Sequence, residues 1–155
     1  MEESFKELSK KIITKEDLVF LLGEINLVQK SVFKDIDIPL SERVQENISE
    51  DFKQFIKKLE EEKIILKNPQ ENQTFFDNLK KYLQSLPQIK IEVAFPPEKK
   101  FIDKVFLWLK KEFNQKLILD LVFNPKIIGG AVIEYKGKRI NLSLAKKIDE
   151  LENQI

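Results

Sequence analysis

The chain has 155 residues, of which 42% are apolar and 34% are charged, so it is long enough for one domain or two small ones. Its 27 basic and 26 acidic side chains nearly cancel, which argues against binding of nucleic acid or an anionic membrane by bulk charge. The absence of cysteine excludes disulfides and thiolate sites, and the absence of histidine removes the commonest metal ligand and general acid–base group.

The start of the sequence, MEESFKELSKK, is charged and lacks the apolar core of a signal peptide. The longest run of apolar residues and glycine, 127–133, is seven residues long, whereas a membrane-spanning helix needs about 20. We therefore expect a soluble, intracellular protein. The high content of Lys, Ile, Asn and Phe is typical of an AT-rich prokaryotic genome.

The apolar spacing is helical from residue 1 to about residue 86. Residues 14–17 have the form of a capping box ahead of an apolar stripe that begins at Leu18. Phe20, Leu27 and Phe33 widen this stripe, and such a width indicates packing on more than one side of the helix.

Two prolines divide the rest of this half. Pro39 precedes an amphipathic helix that we predict over roughly Glu42 to Lys63, and Pro69 lies in the turn before a last helix that stops ahead of Pro87. We predict that residues 1–87 form a small antiparallel helical bundle domain.

After Pro87 the period changes to two, which is typical of strands. The segment QIKIEVAF predicts a half-buried strand, Phe101–Phe113 a helix with an aromatic face, and KLILDLVF a second strand. The second strand is apolar on both faces except at Asp120, so we expect it to be central. A hairpin turning near Gly137 and a closing helix follow, and residues 88–155 are predicted to form a compact module, which makes the chain α+β.

Three of the four glycines lie between Gly129 and Gly137. Gly137 suits the hairpin turn, where a positive φ is needed. Gly129 and Gly130 fall inside a strand or at its start, where glycine costs stability, so we predict a close approach of a neighbouring main chain or a bulge. A phosphate-binding loop is the alternative, but the pair lacks the G-x-x-x-x-G-K-[ST] pattern and leads into a strand.

An ordered set of residues resembles the C-terminal end of the delta subunit of F-type ATP synthases, the oligomycin-sensitivity-conferring protein family. The resemblance covers about residues 88 to 153, and its motif positions are Asn124, Pro125, Gly129, Gly130, Gly137, Asn141 and Ser143. Asn124 and Asn141 stand where the family has aspartate, and asparagine keeps the ability to cap a turn.

The helical half departs from the family. The family has a six-helix bundle at this end, whereas the residues before Pro87 leave room for about four helices. The resemblance therefore implies a shortened or divergent helical domain, whose family contacts are not transferable residue by residue.

The resemblance implies a non-catalytic stator subunit without cofactor or metal. Such a subunit links N-terminal segments of the alpha subunits to the stalk ends of the b subunits, as a single copy on the cytoplasmic side of the inner or plasma membrane, and resists the torque of the proton-driven rotor. Partner helices need apolar anchors at helical spacing. The candidate stalk interface comprises Leu107, Trp108, Leu144, Ile148 and Leu151.

Three other functions remain open on the sequence. The E-type stator protein of vacuolar or archaeal ATPases also ends in a glycine pair, a glycine turn and a helix, but follows one very long helix. A nucleic-acid-binding module would use Lys136, Lys138 and Arg139, which are few. A hydrolase would pair carboxylates among Asp120, Glu134 and Glu92, yet no nucleophile–base constellation accompanies them.

Overall fold

The structure is a computed structural model that describes residues 2–44, 48–65, 68–113 and 115–152, without the side chains of the last two. Its internal contacts divide the chain into two compact units. The first comprises Met1–Ile12 and Glu16–Ser85, and the second comprises Ile13–Lys15 and Leu86–Ile155.

The first unit is helical throughout its described secondary structure. Its helices are α1 (Glu2–Lys10), α2 (Lys15–Ser31), α3 (Leu40–Arg43), α4 (Glu50–Glu61) and α5 (Pro69–Ser85). The core is formed where the apolar stripes of α2, α4 and α5 meet, because each stripe recurs at three- and four-residue spacing. The most deeply buried side chains there include Ile25, Val28, Phe52, Ile56, Phe76, Leu79 and Leu83.

The predicted continuous helix from Glu42 to Lys63 is wrong. α3 ends at Arg43, and α4 begins at Glu50 behind Ser49, whose hydroxyl accepts the N–H of Phe52 at 3.3 Å. The Arg43 guanidinium donates to the carbonyl oxygens of Ser31 and Val32 at 3.0 and 3.1 Å and also to that of Lys34. Arg43 therefore satisfies carbonyl groups at the end of α2, and the chain turns instead of continuing as a helix.

The second unit is a four-stranded mixed sheet with a helix between its first two strands. It comprises β1 (Gln88–Val93), α6 (Lys99–Glu112), β2 (Ile118–Phe123), a 3-10 turn (Pro125–Ile127), β3 (Ala131–Tyr135), β4 (Lys138–Asn141) and α7 (Leu144–Glu152). The strand order is β2-β1-β3-β4, in which β1 and β2 are parallel and the other pairs antiparallel. Helices followed by a sheet module confirm the predicted α+β class.

One face of the sheet forms the core of this unit against α6. Ile89, Ile91 and Val93 alternate along β1, and they cluster with Leu109 of α6 and with Leu117 and Leu119. Phe101, Ile102, Val105 and Phe106 of α6 pack against the same cluster. The alternation that predicted β1 thus places its apolar side chains under the helix.

The prediction that the second strand is central is wrong, because β2 lies at an edge of the four-stranded sheet. Residues 13–15 cover part of its outer side: the N–H of Leu119 donates to the Ile13 carbonyl at 2.9 Å, and Thr14 forms an isolated bridge with Leu119. Ile118 and Leu119 are fully buried as a result. The strand has the composition of a central strand because an earlier segment of the chain covers its edge.

Candidate protein-interaction surface

Two stretches of main chain cross closely beside β3, residues 129–131 and residues 142–144. Gly130 has φ of +75°, and a Cβ built on it would lie 2.3 Å from the carbonyl oxygen of Leu142. Hydrogen bonds hold the crossing: the N–H of Leu142 donates to Ala131 O, and the N–H of Leu144 to Gly129 O, both at 2.9 Å. The predicted close approach of main chains is confirmed at Gly130.

Gly129 is in a different situation from its neighbour. Its φ is not in the left-handed region, and a Cβ there would meet the Leu144 side chain at 3.7 Å, an ordinary contact. Both glycines precede β3, which starts at Ala131, so they lie in the turn that leads to the strand. Only one glycine of the pair is required by the geometry.

Ile128 adopts a strained conformation just before the crossing. It has φ of 64° and ψ of −44°, and the N–H of Gly129 donates to the Ile127 carbonyl at 2.7 Å, which defines a γ-turn centred on Ile128. A β-branched residue rarely has positive φ, and such outliers cluster at functional sites. The Ile128 side chain is 60% exposed, so burial of that side chain does not compensate for the strain.

Asn124 connects the 3-10 turn to the sheet. Its side-chain oxygen accepts the N–H of Lys126 at 3.1 Å, and its amide group donates to Glu92 Oε2 at 2.8 Å. This hydrogen bond, together with the nearby Lys90 and Arg139, lowers the pKa of Glu92. Asparagine fits here because it caps the turn and also donates to the Glu92 carboxylate. An ionised aspartate at this position would repel that carboxylate.

Asn141 and Ser143 start the last helix. The Asn141 side-chain oxygen accepts the N–H of Ser143 at 3.0 Å, and the Ser143 hydroxyl accepts the N–H of Lys146 at 3.2 Å. These bonds satisfy donors that the first turn of α7 leaves without a partner in the helix. The expectation that asparagine keeps the turn-capping ability is confirmed at both positions, Asn124 and Asn141.

The hairpin of β3 and β4 turns through two residues, Lys136 and Gly137. Their φ angles are 49° and 74°, and the flanking residues Tyr135 and Lys138 are paired. Two consecutive positive φ angles match the twist of antiparallel strands. Gly137 is therefore a turn glycine, as predicted.

The candidate interface residues lie on two helices. On α6, Leu107 and Trp108 are 63% and 48% exposed, outside the face that packs on the sheet. On α7, Leu144 and Ile148 are partly exposed at 47% and 37%, and Leu144 lies against Gly129. Leu151 belongs to α7, but its side chain lies outside the described residues.

Sequence reasoning missed two exposed apolar residues near the crossing. Ile128 and Leu142 are 60% and 57% exposed and flank the glycine pair and Ser143 in sequence. The glycine pair that follows Ile128 is the only sequence signal of an unusual backbone there.

The three carboxylates that suggested a hydrolase have cationic neighbours. Asp120 pairs with Lys15 at 2.8 Å, and Glu92 lies 3.4 Å from Lys90 and 3.7 Å from Arg139. Glu134 lies opposite Lys90 and Arg139 in the strand register. Among the described residues there is neither a metal-ligating cluster nor a helix long and apolar enough to cross a membrane.

A helical unit, a small sheet unit and a capped main-chain crossing, with apolar side chains exposed on α6 and α7, describe a two-part α+β protein. The family model of the ATP synthase delta (OSCP) subunit matches residues 1–155. The chain therefore belongs to that family, and the resemblance seen in residues 88 to 153 extends over the helical half.

Two curated relatives carry the same subunit name. The ATP synthase subunit delta of Buchnera aphidicola subsp. Baizongia pistaciae is 31% identical over 78 residues, which is 50% of this chain and 44% of the relative. That of Francisella tularensis subsp. mediasiatica is 24% identical over 116 residues, 75% of this chain and 66% of the relative. The alignments thus span less than two thirds of each relative.

A chain of the Polytomella F-ATP synthase, solved by cryo-electron microscopy, is similar over part of the molecule. It is 26% identical and covers 45% of this chain and 90% of its own length, with a TM-score of 0.37.

Proposed function

We propose that this chain is a non-catalytic stator subunit of a rotary F-type ATP synthase. The helical unit binds N-terminal segments of the alpha subunits of the catalytic head, and the sheet unit binds the ends of the stalk b subunits. The chain then holds the head still against the rotor from the cytoplasmic side of the membrane. The observation that carries the proposal is the match of the delta (OSCP) family model to the whole chain, residues 1–155.

The surface of α6 supports the stalk assignment. Leu107 and Trp108 are exposed apolar side chains on a helix whose opposite face already packs on the sheet. Exposed aromatic and aliphatic side chains in one place are typical anchors for a partner helix. The exposed positions of α6 include Lys99, Lys100, Lys104, Lys110 and Lys111 against Asp103 and Glu112, which favours an acidic stalk segment.

The surface of α7 is the second part of the proposed stalk site. Leu144 and Ile148 are four residues apart and share one face of the helix, where Leu151 would continue the stripe. The main chain next to Ile128 is tied to that helix, because the N–H of Leu144 donates to the carbonyl of Gly129 at 2.9 Å. The strained turn thus lies next to the start of α7, and its Ile128 side chain is exposed.

Co-purification from the native cell tests the proposal. A tagged copy of the chain should retain the alpha and beta subunits of the head together with b subunits. Recovery of the tagged chain without any synthase subunit, from cells that contain assembled synthase, would contradict the proposed function.

Substitutions test the stalk assignment separately. Trp108→Asp and Leu151→Asp should weaken binding of a purified b-subunit segment at least about tenfold, because a charge replaces an apolar anchor. Thr74→Asp introduces the same charge at an exposed position of α5 and should leave binding unchanged. Circular dichroism checks that all three variants stay folded, and unchanged affinity for both interface variants would refute the assignment.

An E-type stator protein of a vacuolar or archaeal ATPase is not favoured by any feature of the structure. The helices of the first unit are at most 17 residues long in the described part of the chain, and no long rod precedes the sheet unit there.

Arg139, one of the three basic residues of the hairpin, lies beside Glu92, which reduces the positive potential available to a nucleic acid.

A further inference from the structure

Residues 13–15, which we call the strap, belong to the sheet unit although they lie between two helices of the other unit. The chain passes from one unit to the other after Ile12, after Lys15 and after Ser85. Two units joined by a simple linker would need only one such passage. The strap is short as well, because α1 ends at Lys10 and α2 begins at Lys15.

The strap completes the edge of the sheet at β2. The N–H of Leu119 donates to the Ile13 carbonyl at 2.9 Å, and Leu119 is fully buried. A buried N–H without a partner is costly, so the sheet loses a required acceptor if the strap leaves. The Ile13 side chain packs against the apolar cluster between the sheet and α6. The strap therefore supplies a hydrogen bond and a core contact to the edge of the sheet.

An ion pair joins the strap to the same strand. Lys15 Nζ lies 2.8 Å from Asp120 Oδ2, and the side chain of Asp120 is only 19% exposed. The pair compensates a carboxylate that is largely withdrawn from water. Because Thr14 forms a parallel bridge with Leu119, Lys15 falls beside Asp120 in the same register. Main chain, apolar packing and charge thus favour one position of the strap on β2.

Both ends of the strap continue into helices that are packed in the core of the helical unit. On the N-terminal side, Phe5 of α1 contacts the rings of Phe75 and Tyr82, with centroids 5.2 and 5.6 Å away. On the C-terminal side, α2 buries Leu18 and Leu21. Unfolding of these helices releases the ends of the strap and raises the entropy that the strap loses on β2. The edge of the sheet is then easier to uncover.

We propose that the strap couples the two units, so that the sheet unit does not stay folded when the helical unit unfolds. The coupling arises from contacts within this chain and does not depend on the proposed stator function. Because coupling between sites is reciprocal, a partner that stabilises one unit by binding also stabilises the other.

Urea unfolding of the full chain, followed by two probes, tests the coupling. The single tryptophan, Trp108, lies on α6, so its fluorescence reports the sheet unit. Far-UV circular dichroism reports mainly the helical unit, because most helical residues of the described chain lie there. The two transitions should coincide in the natural chain. Separate transitions in the natural chain would overturn the proposal.

Ile13→Asp should separate the two transitions, because a charge replaces an apolar side chain that packs on the sheet. We expect the fluorescence midpoint to fall by at least about 0.5 M urea more than the circular-dichroism midpoint.

Val132→Ala is the matched control. Val132 is buried in β3, and β1 and β2 lie between β3 and the strap. This variant weakens the sheet but leaves the strap intact, so both midpoints should fall together. A joint fall for Ile13→Asp as well would show that the strap does not couple the units.

Lys15→Glu perturbs the strap more gently and acts on the two units in opposite directions. It places a second carboxylate beside Asp120, but it also adds an acidic residue to the first turn of α2, which the helix dipole favours. The midpoints should separate by about 0.3 M. The double variant Lys15→Glu with Asp120→Lys restores the ion pair and should bring the transitions back together. Coincident transitions in Lys15→Glu would contradict the coupling.

A disulfide tests the opposite change, because the chain contains no cysteine of its own. Lys15→Cys with Asp120→Cys places two thiols at adjacent positions of neighbouring strands, with Cα atoms about 5 Å apart. Oxidation should close this disulfide and raise the fluorescence midpoint by at least about 0.5 M over the reduced protein. Failure of the disulfide to form, or an unchanged midpoint after it forms, would refute the strap and leave the proposed function intact.

Discussion

Helix α2 and the crossing beside β3 both contain a glycine, and the surroundings of the two glycines are opposite. At the crossing, Gly130 has a positive φ and its missing side chain leaves room for the carbonyl of Leu142. In α2, Gly23 has an ordinary helical position with open space around it. One glycine is required by contacts inside the chain, whereas the other costs stability without an internal benefit. A comparison of what alanine does at each position therefore separates a glycine that the fold requires from one that it does not.

The largest effect is expected at Gly130. Gly130→Ala places a methyl group 2.3 Å from a main-chain oxygen, where no flexible side chain can move aside. The crossing has to shift and its two main-chain hydrogen bonds weaken, so we expect a loss of about 4 kcal/mol in the free energy of unfolding. Urea denaturation measures it.

Gly129→Ala is the control for this prediction, since its methyl group would make an ordinary contact with Leu144. Its effect should stay below about 1 kcal/mol. Equal losses for the two variants would show that the crossing is not the reason for the glycine at position 130.

The elements that could be predicted from the sequence are those with a local periodic pattern of apolar residues. The alternation of apolar and polar residues predicted β1, and the helical spacing of apolar residues predicted α6. A positive φ was predicted at the hairpin residue Gly137. The break between α3 and α4 was missed, because Val44 and Ile48 fit a helical stripe while the contacts of Arg43 with the end of α2 leave no local signal. The edge position of β2 was missed for a similar reason, since the segment that covers it lies about a hundred residues earlier in the chain.

Some features of the candidate site could be predicted from the sequence, and others could not. The motif positions follow from the resemblance, and their roles in capping and turning follow from residue type. The strain at Ile128 and the bond from Asn124 to Glu92 depend on tertiary contacts. The contacts of the five candidate interface residues with the stalk remain a prediction, and so does the division into a helical bundle domain, residues 1–87, and a C-terminal module, residues 88–155.

Asn124→Asp sharpens the comparison at the 3-10 turn that precedes the crossing, because it changes charge instead of volume. An aspartate would still cap the 3-10 turn, but it would replace the donor 2.8 Å from Glu92 by a second carboxylate. We expect a loss of about 1.5 kcal/mol in the free energy of unfolding at neutral pH.

The pH dependence of this loss identifies its cause. In the natural chain the lowered pKa of Glu92 adds stability above the unfolded pKa, and this is lost as the pH falls through the folded value. In the variant the carboxylate pair raises the folded pKa, so its penalty shrinks as one group is protonated below about pH 5. Denaturation curves between pH 7 and pH 4 should therefore converge for the two proteins, and a loss that is independent of pH would exclude charge repulsion.

The smallest effect is expected at Ile128, where strain and exposure coincide. Ile128→Gly allows a φ of 64° at no steric cost and removes a side chain that is 60% exposed, so little buried contact is lost. We expect the variant to be more stable by about 1 kcal/mol in urea denaturation. If Ile128 is part of the proposed stalk site, the same variant should bind the b-subunit segment more weakly. A gain in stability with unchanged affinity would show that the partner does not contact Ile128, because removal of a contacting side chain has to weaken binding. The strain would then be a by-product of the crossing.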